Sequence, residues 1–147
     1  MTTFALIGVG KLGEALLSGL LRSGRPVEQV IAAERHQGRA DEISSMYGVR
    51  TATPEHAVAD ADVVLLAVKP QDMRTALKEL SPGITPGTLV VSIAAGITTA
   101  LLEEELPEGT PVVRVMTNTP VFVDEAMSAV CAGSHATEAD LALVEEL

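Results

Sequence analysis

Short, wholly apolar segments alternate along this chain with segments in which apolar residues recur every three or four positions. The first pattern is typical of strands buried on both faces of a sheet, and the second predicts amphipathic helices. Strands are predicted at 3–8, 29–34, 49–52, 61–68, 88–96, 110–118 and 126–133. Helices are predicted at 11–24, 38–48, 54–60, 71–80, 98–106 and 138–147.

The order of these elements predicts the fold class. Strand–helix–strand units with short connections form parallel sheets with right-handed crossovers. We therefore expect an α/β protein with a Rossmann-like, doubly wound, mostly parallel sheet and helices on both faces. The length of 147 residues suits one such domain.

The amino-acid composition limits what the core can be built from and which kinds of molecule the chain can bind. Hydrophobic residues make up 47% of the chain, with two Phe, one Tyr and no Trp, so the core must be aliphatic. The net charge of −10 argues against nucleic acid as a partner, because phosphate backbones need a basic face. Cys131 is the single cysteine, which excludes an internal disulfide.

The chain shows no sign of a membrane or export signal. Its start lacks the basic and apolar regions of a signal peptide, and no apolar run reaches the roughly 18 residues that span a bilayer. We therefore expect no membrane partner and a cytoplasmic location.

Three glycines follow the first predicted strand and open the first predicted helix. Gly8, Gly10 and Gly13 form the pattern G-x-G-x-x-G, which in this context is the fingerprint of a dinucleotide site. Gly8 permits a tight turn, Gly10 lets the backbone approach a pyrophosphate, and Gly13 lets the helix pack on the strand. Lys11 can add charge beside the phosphates.

Two opposed signals at the end of the second strand bear on which dinucleotide binds. Glu34 lies where an acid would bind the ribose 2′-hydroxyl of NAD, whereas Arg35 can hold the 2′-phosphate of NADP. His36 and Arg39 can add positive charge. We favour NADP(H) and keep NAD(H) as the alternative, because Glu34 can turn to solvent while Arg35 gains a charge-assisted contact.

Three further strand ends should meet the ligand, because doubly wound sheets bind at the carboxyl ends of their strands. The residues concerned are Ala67, Val68, Lys69 and Pro70 for the adenosine–ribose side, and Ala94, Ala95, Gly96 and Asn118 for the nicotinamide half.

Four stretches together resemble the N-terminal domain of pyrroline-5-carboxylate reductases, over essentially the whole chain. They are "IGVGKLGEALLSGLL" (7–21), "LLAVKPQDM" (65–73), "VSIAAGIT" (91–98) and "VVRVMTNTP" (112–120). The resemblance implies hydride transfer from NADPH or NADH to the cyclic imine pyrroline-5-carboxylate, which completes proline biosynthesis. It also implies that the pyrophosphate is held by Ile7, Gly8, Val9, Gly10, Lys11 and Leu12.

The sequence departs from the family pattern in one loop and in length. Thr117 stands where the family usually has proline, between Met116 and Asn118, which loosens the loop beside the nicotinamide. The family also has a second, helical domain that dimerises and supplies most of the imino-acid site. We therefore expect residues 1–133 to form a dinucleotide-binding domain and 134–147 to begin a linker helix, with a homo-oligomer for the longer protein and little turnover by this chain alone.

No residue of the chain stands out as a catalytic group or a metal ligand. His36, His56 and His135 lie far apart in sequence, and no Cys/His cluster has metal-ligand spacing. Two alternatives therefore stay open: a related NADP-dependent enzyme of the F420-dependent reductase or β-hydroxyacid dehydrogenase type, and a nucleotide-binding module without catalysis.

Overall fold

The structure is a computed structural model. It describes residues 3–8, 11–22, 24, 26–34, 37–85, 87–93, 98–117 and 128–132. The predicted helix at 138–147 and the boundary predicted near residue 133 lie outside the described residues.

Seven strands of the described residues form one sheet in the order β3-β2-β1-β4-β5-β6-β7. The first six run parallel, and the last is antiparallel to its neighbour. The strands are β1 Phe4–Ile7, β2 Val30–Ala33, β3 Arg50–Ala52, β4 Val63–Leu66, β5 Leu89–Ser92, β6 Val112–Thr117 and β7 Ser128–Ala132. Each corresponds to a predicted strand, and the mostly parallel sheet confirms the predicted fold class.

Helices connect the parallel strands. They are α1 Lys11–Arg22, α2 Gln37–Tyr47, α3 Pro54–Ala59, α4 Met73–Leu80 and α5 Thr99–Glu105, with single 3₁₀ turns at Val27–Gln29, Pro70–Asp72 and Ser81–Gly83. The segment predicted as one helix from residue 71 thus begins as a 3₁₀ turn. No helix in the described part of the chain is long and apolar enough to cross a bilayer.

Local sequence explains where several helices begin and end. Gly48 follows α2 with φ of +71°, and its N–H donates to the carbonyl of Ser44 at 2.9 Å, so glycine ends the helix in the left-handed region. Thr98 caps α5, since its hydroxyl accepts the N–H of Leu101 at 3.1 Å.

The sheet separates two aliphatic cores. One face packs against α1 and α2 through Leu17, Leu20 and Ile43. The other packs against α3, α4 and α5 through side chains that include Met73 and Leu102. Helices on both faces make every central strand doubly buried, which is why these strands read as continuous apolar runs.

The strand order reverses between β1 and β4. The chain runs outward from β1 through β2 to β3 and then returns to the other side of β1 to start β4. In doubly wound sheets the crevice beyond the carboxyl ends of the strands at such a reversal is where ligands bind. The residues that follow Ile7 and Leu66 lie at this crevice.

Candidate functional site

The chain turns sharply where β1 meets α1. Gly8 follows the last residue of β1 with φ of +89°, a conformation that side chains strongly disfavour, and α1 begins three residues later at Lys11. The first N–H groups of a helix have no partner within it, so the start of α1 presents free donors and a partial positive charge at this corner.

Neighbouring backbone atoms leave no space for a side chain at Gly13 and little at Gly8. A Cβ added at Gly13 would overlap the carbonyl oxygen of Gly8, and one added at Gly8 would lie 3.1 Å from both the Ala67 carbonyl oxygen and Val68 Cγ1. Absent side chains therefore let α1, the end of β1 and the segment after β4 approach one another closely.

Hydrogen bonds fix the segment after β4 beside this corner. The N–H of Ala67 donates to the carbonyl of Ile7 at 2.8 Å, and the N–H of Ile93 donates to that of Leu66 at 3.1 Å. Ala67 and Val68 are half-buried and Lys69 is exposed. The structure thus brings Gly8, Gly13, Ala67 and Val68 together at the strand-order reversal.

Glu34 lies at the same edge of the sheet. Its N–H donates to the carbonyl of Ala52 at 3.1 Å, which extends the pairing of β2 with β3 by one step. Because Ile7 is in register with Ala33, Glu34 follows β2 as Gly8 follows β1. The half-buried Glu34 therefore lies at the same sheet edge as the glycine corner, and its role toward a ribose stays a prediction.

Other predicted site residues lie outside the described residues. These are Val9, Gly10, Arg35, Ala94, Ala95, Gly96 and Asn118. For Lys11, Leu12 and Pro70 the structure describes the backbone, at the starts of α1 and of the 3₁₀ turn that precedes α4. Their assignment to the cofactor site stays a prediction.

A charged cluster joins α1 to α2 close to this edge. Arg39, in the first turn of α2, donates from Nη2 to Glu14 Oε2 at 3.2 Å and from Nη1 to Glu42 Oε1 at 2.9 Å. Tyr47 donates its hydroxyl to the other oxygen of Glu14, Oε1, at 2.9 Å. The carboxylate of Glu14 therefore binds both ends of α2.

This cluster changes the acidity of its members. The hydrogen bond from Tyr47, followed by that from Arg39, lowers the pKa of Glu14. Burial and then the bond to Glu14 raise the pKa of Tyr47. Burial opposes the charge of Arg39, but the bond to Glu14 and the nearby charges of Glu14, Glu42 and Glu34 together raise its pKa. Arg39 thus stays a cation among three carboxylates.

Sequence reasoning did not single out Glu14 or Tyr47. Glu14 directly follows the glycine pattern in the first turn of α1, and Tyr47 is the one tyrosine of the chain. An acid next to the fingerprint is a weak signal, since acidic residues are common in first turns. Only the packing of α1 beside α2 shows that Glu14 binds Arg39.

The described residues offer little metal-binding chemistry. They contain no group of three or more His, Cys, Asp or Glu side chains able to hold a metal ion. His56 is exposed on α3, and its Nδ1 lies 2.8 Å from the hydroxyl of Thr53.

A glycine corner at the reversal point of a doubly wound sheet defines the class of Rossmann-like dinucleotide-binding domains. Within that class, the family model described as NADP oxidoreductase, coenzyme F420-dependent, matches residues 3–96. Since this match covers well over half of the chain, the chain belongs to that family.

Curated relatives that match the whole chain include pyrroline-5-carboxylate reductases. The pyrroline-5-carboxylate reductase of Mycobacterium tuberculosis is 39% identical over 153 residues, which cover 100% of this chain and 52% of that protein. The enzyme of that name from Corynebacterium melassecola is 40% identical over 151 residues, covering 100% of this chain and 56% of the relative. The chain thus spans about half the length of the curated relatives it matches.

A solved structure gives the same result in three dimensions. The pyrroline-5-carboxylate reductase of Coxiella burnetii superposes with a TM-score of 0.92 at 29% sequence identity, covering 98% of this chain and 54% of that one. The resemblance seen in the sequence motifs is confirmed.

Proposed function

We propose that this chain is the NADP(H)-binding half of a reductase that converts pyrroline-5-carboxylate to proline. The observation that carries the proposal is likeness to pyrroline-5-carboxylate reductases across the entire chain, and not only across its glycine motif. The family description, which names an NADP oxidoreductase, supports the choice of cofactor.

The described corner suits a pyrophosphate. The cradle formed by Gly8 and Gly13 is one that a Cβ would fill, and the start of α1 directs its N–H groups there. A diphosphate fits such a place because backbone donors and the helix dipole neutralise it without a basic side chain. This answers how a chain with net charge −10 can bind an anionic cofactor.

The remaining contacts are assigned by position along the sequence. We assign Ala67–Pro70 to the adenosine–ribose side, Arg35 to the 2′-phosphate, and Ala94–Gly96 with Asn118 to the nicotinamide half. The packing of Ala67 against the Gly8–Gly13 corner supports the first assignment. The others rest on the sequence.

The chemistry divides between this chain and the rest of the protein. The bound dihydronicotinamide supplies the hydride for reduction of a protonated C=N bond. The residues of this chain hold the phosphates and orient the cofactor toward the substrate, and positioning of this kind carries most of the rate enhancement of such a transfer. The substrate is a small molecule, and the groups that bind it belong to a second domain.

The length of the relatives supports a two-domain arrangement. We assign residues 1–133 to the dinucleotide-binding domain and 134–147 to the start of a linker helix toward a helical dimerisation domain. We assign the longer protein to the cytoplasm as a homo-oligomer without nucleic acid or membrane partners.

Binding and turnover are tested separately. Titration of the chain with NADPH, followed by nucleotide fluorescence, should show saturable binding that Gly10→Val abolishes. Gly38→Ala is the matched control, since a Cβ there meets no atom within 4 Å, and it should bind as wild type does. A flat titration of the wild-type chain, or unimpaired binding by Gly10→Val, contradicts the cofactor proposal.

Turnover requires a protein in which the chain continues past Leu147 into the second domain. With pyrroline-5-carboxylate and NADPH it should oxidise the nucleotide and release proline. Nucleotide binding without this activity refutes the substrate assignment while leaving the cofactor assignment intact.

A second candidate is an F420-dependent NADP reductase, which the family description favours for residues 3–96. The same protein supplied with reduced F420 and NADP separates the two candidates. Oxidation of reduced F420 by NADP, without reduction of pyrroline-5-carboxylate, would select the F420-dependent reductase.

A further inference from the structure

We propose that Glu14 sets the preference of this site between NADPH and NADH by pairing with Arg39 and neutralising its charge beside the ribose edge. The inference rests on the proposed cofactor site and adds a specificity-determining residue to it. The structural relationship behind it is the ion pair between the first turns of α1 and α2.

Arg39 lies where a second phosphate-binding cation is expected. It is in the first turn of α2, directly after the loop that follows β2, and the charge of Glu34 at the end of β2 acts on it. The ribose of a dinucleotide is bound at this strand end in doubly wound folds. An arginine here that faced the ligand would favour a 2′-phosphate over a 2′-hydroxyl.

The structure pairs that guanidinium with carboxylates, Glu14 and Glu42 among them. Nη2 contacts Glu14 and Nη1 contacts Glu42, so both terminal nitrogens are committed to acids. The Glu14 contact is the more sheltered one, with side chains 26% and 27% exposed, whereas Glu42 is 56% exposed. The other oxygen of Glu14 accepts the Tyr47 hydroxyl, so the two bonds to this carboxylate use separate atoms.

Removing the charge of Glu14 should therefore change nucleotide preference. In Glu14→Gln, Arg39 loses its more sheltered anion, and the edge becomes less negative. Both effects act on a 2′-phosphate far more than on a 2′-hydroxyl. We expect the ratio of the Kd for NADH to that for NADPH to rise about threefold, the effect of one additional exposed charge pair.

Three variants separate this role from a purely structural one. Tyr47→Phe removes a bond between the same helices without changing charge, and Glu14→Asp keeps the charge; both should leave the ratio at its wild-type value. The double variant Glu14→Gln/Arg39→Gln should not show the rise in the Kd ratio, because the effect acts through Arg39. If the change in this Kd ratio in Glu14→Gln becomes smaller at higher salt concentration, its cause is electrostatic.

Glu42→Gln provides an independent test if Glu14→Gln fails to fold. Glu42 is exposed and contacts Arg39 within α2, so its loss should raise the same ratio without disturbing α1. An unchanged ratio in Glu14→Gln, or in Glu42→Gln where the first variant does not fold, overturns the inference. A rise in the ratio that persists in Glu14→Gln/Arg39→Gln also overturns the inference.

The two proposals fail in different ways. If the wild-type chain binds neither NADPH nor NADH, the cofactor proposal itself is wrong and this inference falls with it. If the wild type binds nucleotide and the ratio stays constant across the variants, only the role of Glu14 is wrong.

Discussion

The carbonyl oxygen of Gly8 occupies the space that a Cβ of Gly13 would need. This close approach joins the residue after β1 to the first turn of α1, and it holds the start of that helix against the sheet. Because a Cβ added at Gly8 would in turn lie 3.1 Å from the Ala67 carbonyl oxygen, three elements meet at one point. The glycine pattern is thus a packing requirement of the fold.

Gly13→Ala should weaken both the fold and nucleotide binding. The added methyl group meets backbone that can relieve the overlap only by moving α1, and overpacking of this kind costs about 1–3 kcal/mol. Denaturant unfolding measures the loss, and NADPH titration should show weaker binding in the folded fraction. Gly38→Ala, in α2 and without a neighbour for its Cβ, should match or exceed wild-type stability by up to about 1 kcal/mol. Wild-type behaviour of Gly13→Ala would show that the corner is looser than described.

Arg35→Ala should weaken binding of NADPH more than of NADH. A charge-assisted contact to a 2′-phosphate is worth about 1.5–3 kcal/mol, which corresponds to roughly tenfold or more in Kd. Fluorescence titrations with both nucleotides measure the difference. Lys78→Ala removes the same charge from the last turn of α4 and should affect the two nucleotides alike. Equal losses for both nucleotides in Arg35→Ala would remove Arg35 from this role.

Thr98→Ala should destabilise the protein more than Thr99→Ala. Thr98 caps α5 through the N–H of Leu101, and loss of such a cap costs about 1 kcal/mol. Thr99 is already the first residue of the helix, where replacement by alanine should change the unfolding free energy by less than about 0.7 kcal/mol. Equal effects of the two substitutions in urea unfolding would contradict the assigned cap.

The Tyr47 hydroxyl should ionise at higher pH in the folded protein than in the unfolded chain. Its pKa is raised above the ordinary value of 10.0, so its contribution to stability is complete below that pH and is lost as the pH rises through the folded value. Ultraviolet absorbance of the phenolate reports this residue alone, since the chain has one tyrosine and no tryptophan. Glu14→Gln should move the midpoint downward, because a neutral amide no longer opposes the phenolate.

Glu14 contributes in the opposite pH range. Its pKa is lowered from 4.5 in the folded state, so its stabilising effect is present above that pH and is lost as the pH falls through the lower folded value. The stability difference between wild type and Glu14→Gln, measured by denaturant unfolding at a series of pH values, should shrink as the solution becomes acidic. A difference that stays constant through that range would contradict the assigned bonds.

Arg114→Met should leave stability unchanged or raise it by about 1 kcal/mol. Arg114 lies on β6 in register with Ser92, and its Nε is buried without a hydrogen-bond partner among the described residues. A buried unsatisfied donor costs about 1–3 kcal/mol, and methionine keeps most of the apolar stem without that donor. Marked destabilisation in urea would show that the nitrogen has a partner in the folded protein.

Much of the fold could be predicted from the sequence because it is encoded locally. The apolar run of β4 and the helical spacing of leucines in α1 each indicate one kind of element, and the left-handed Gly48 ends α2 where the pattern stops. The predicted strands run past the observed ones, as at 61–68 against Val63–Leu66. Past Leu66 the Ala67 N–H still bonds to the Ile7 carbonyl, but the side chains of Ala67 and Val68 lie against the glycine corner, which explains their apolar character.

The candidate site was only partly predictable. The spacing of Gly8 and Gly13 and the position of Glu34 after β2 follow from motif and strand order. The role of Arg39 does not, since the sequence indicates a free cation near the ribose and the structure pairs it with carboxylates. Thr98 and Thr99 are the same residue type, and only the backbone geometry shows that Thr98 is the cap of α5.

The amino-acid sequence by itself determined the alternation of strands and helices and the glycine corner between β1 and α1. These features depend on residues within a few positions of one another, whose conformational preferences act locally. The tertiary structure alone decided the partners of Glu14, which lie 25 and 33 residues away on another helix. Such contacts depend on how α1 and α2 pack on one face of the sheet, a relationship that no local pattern of residues contains.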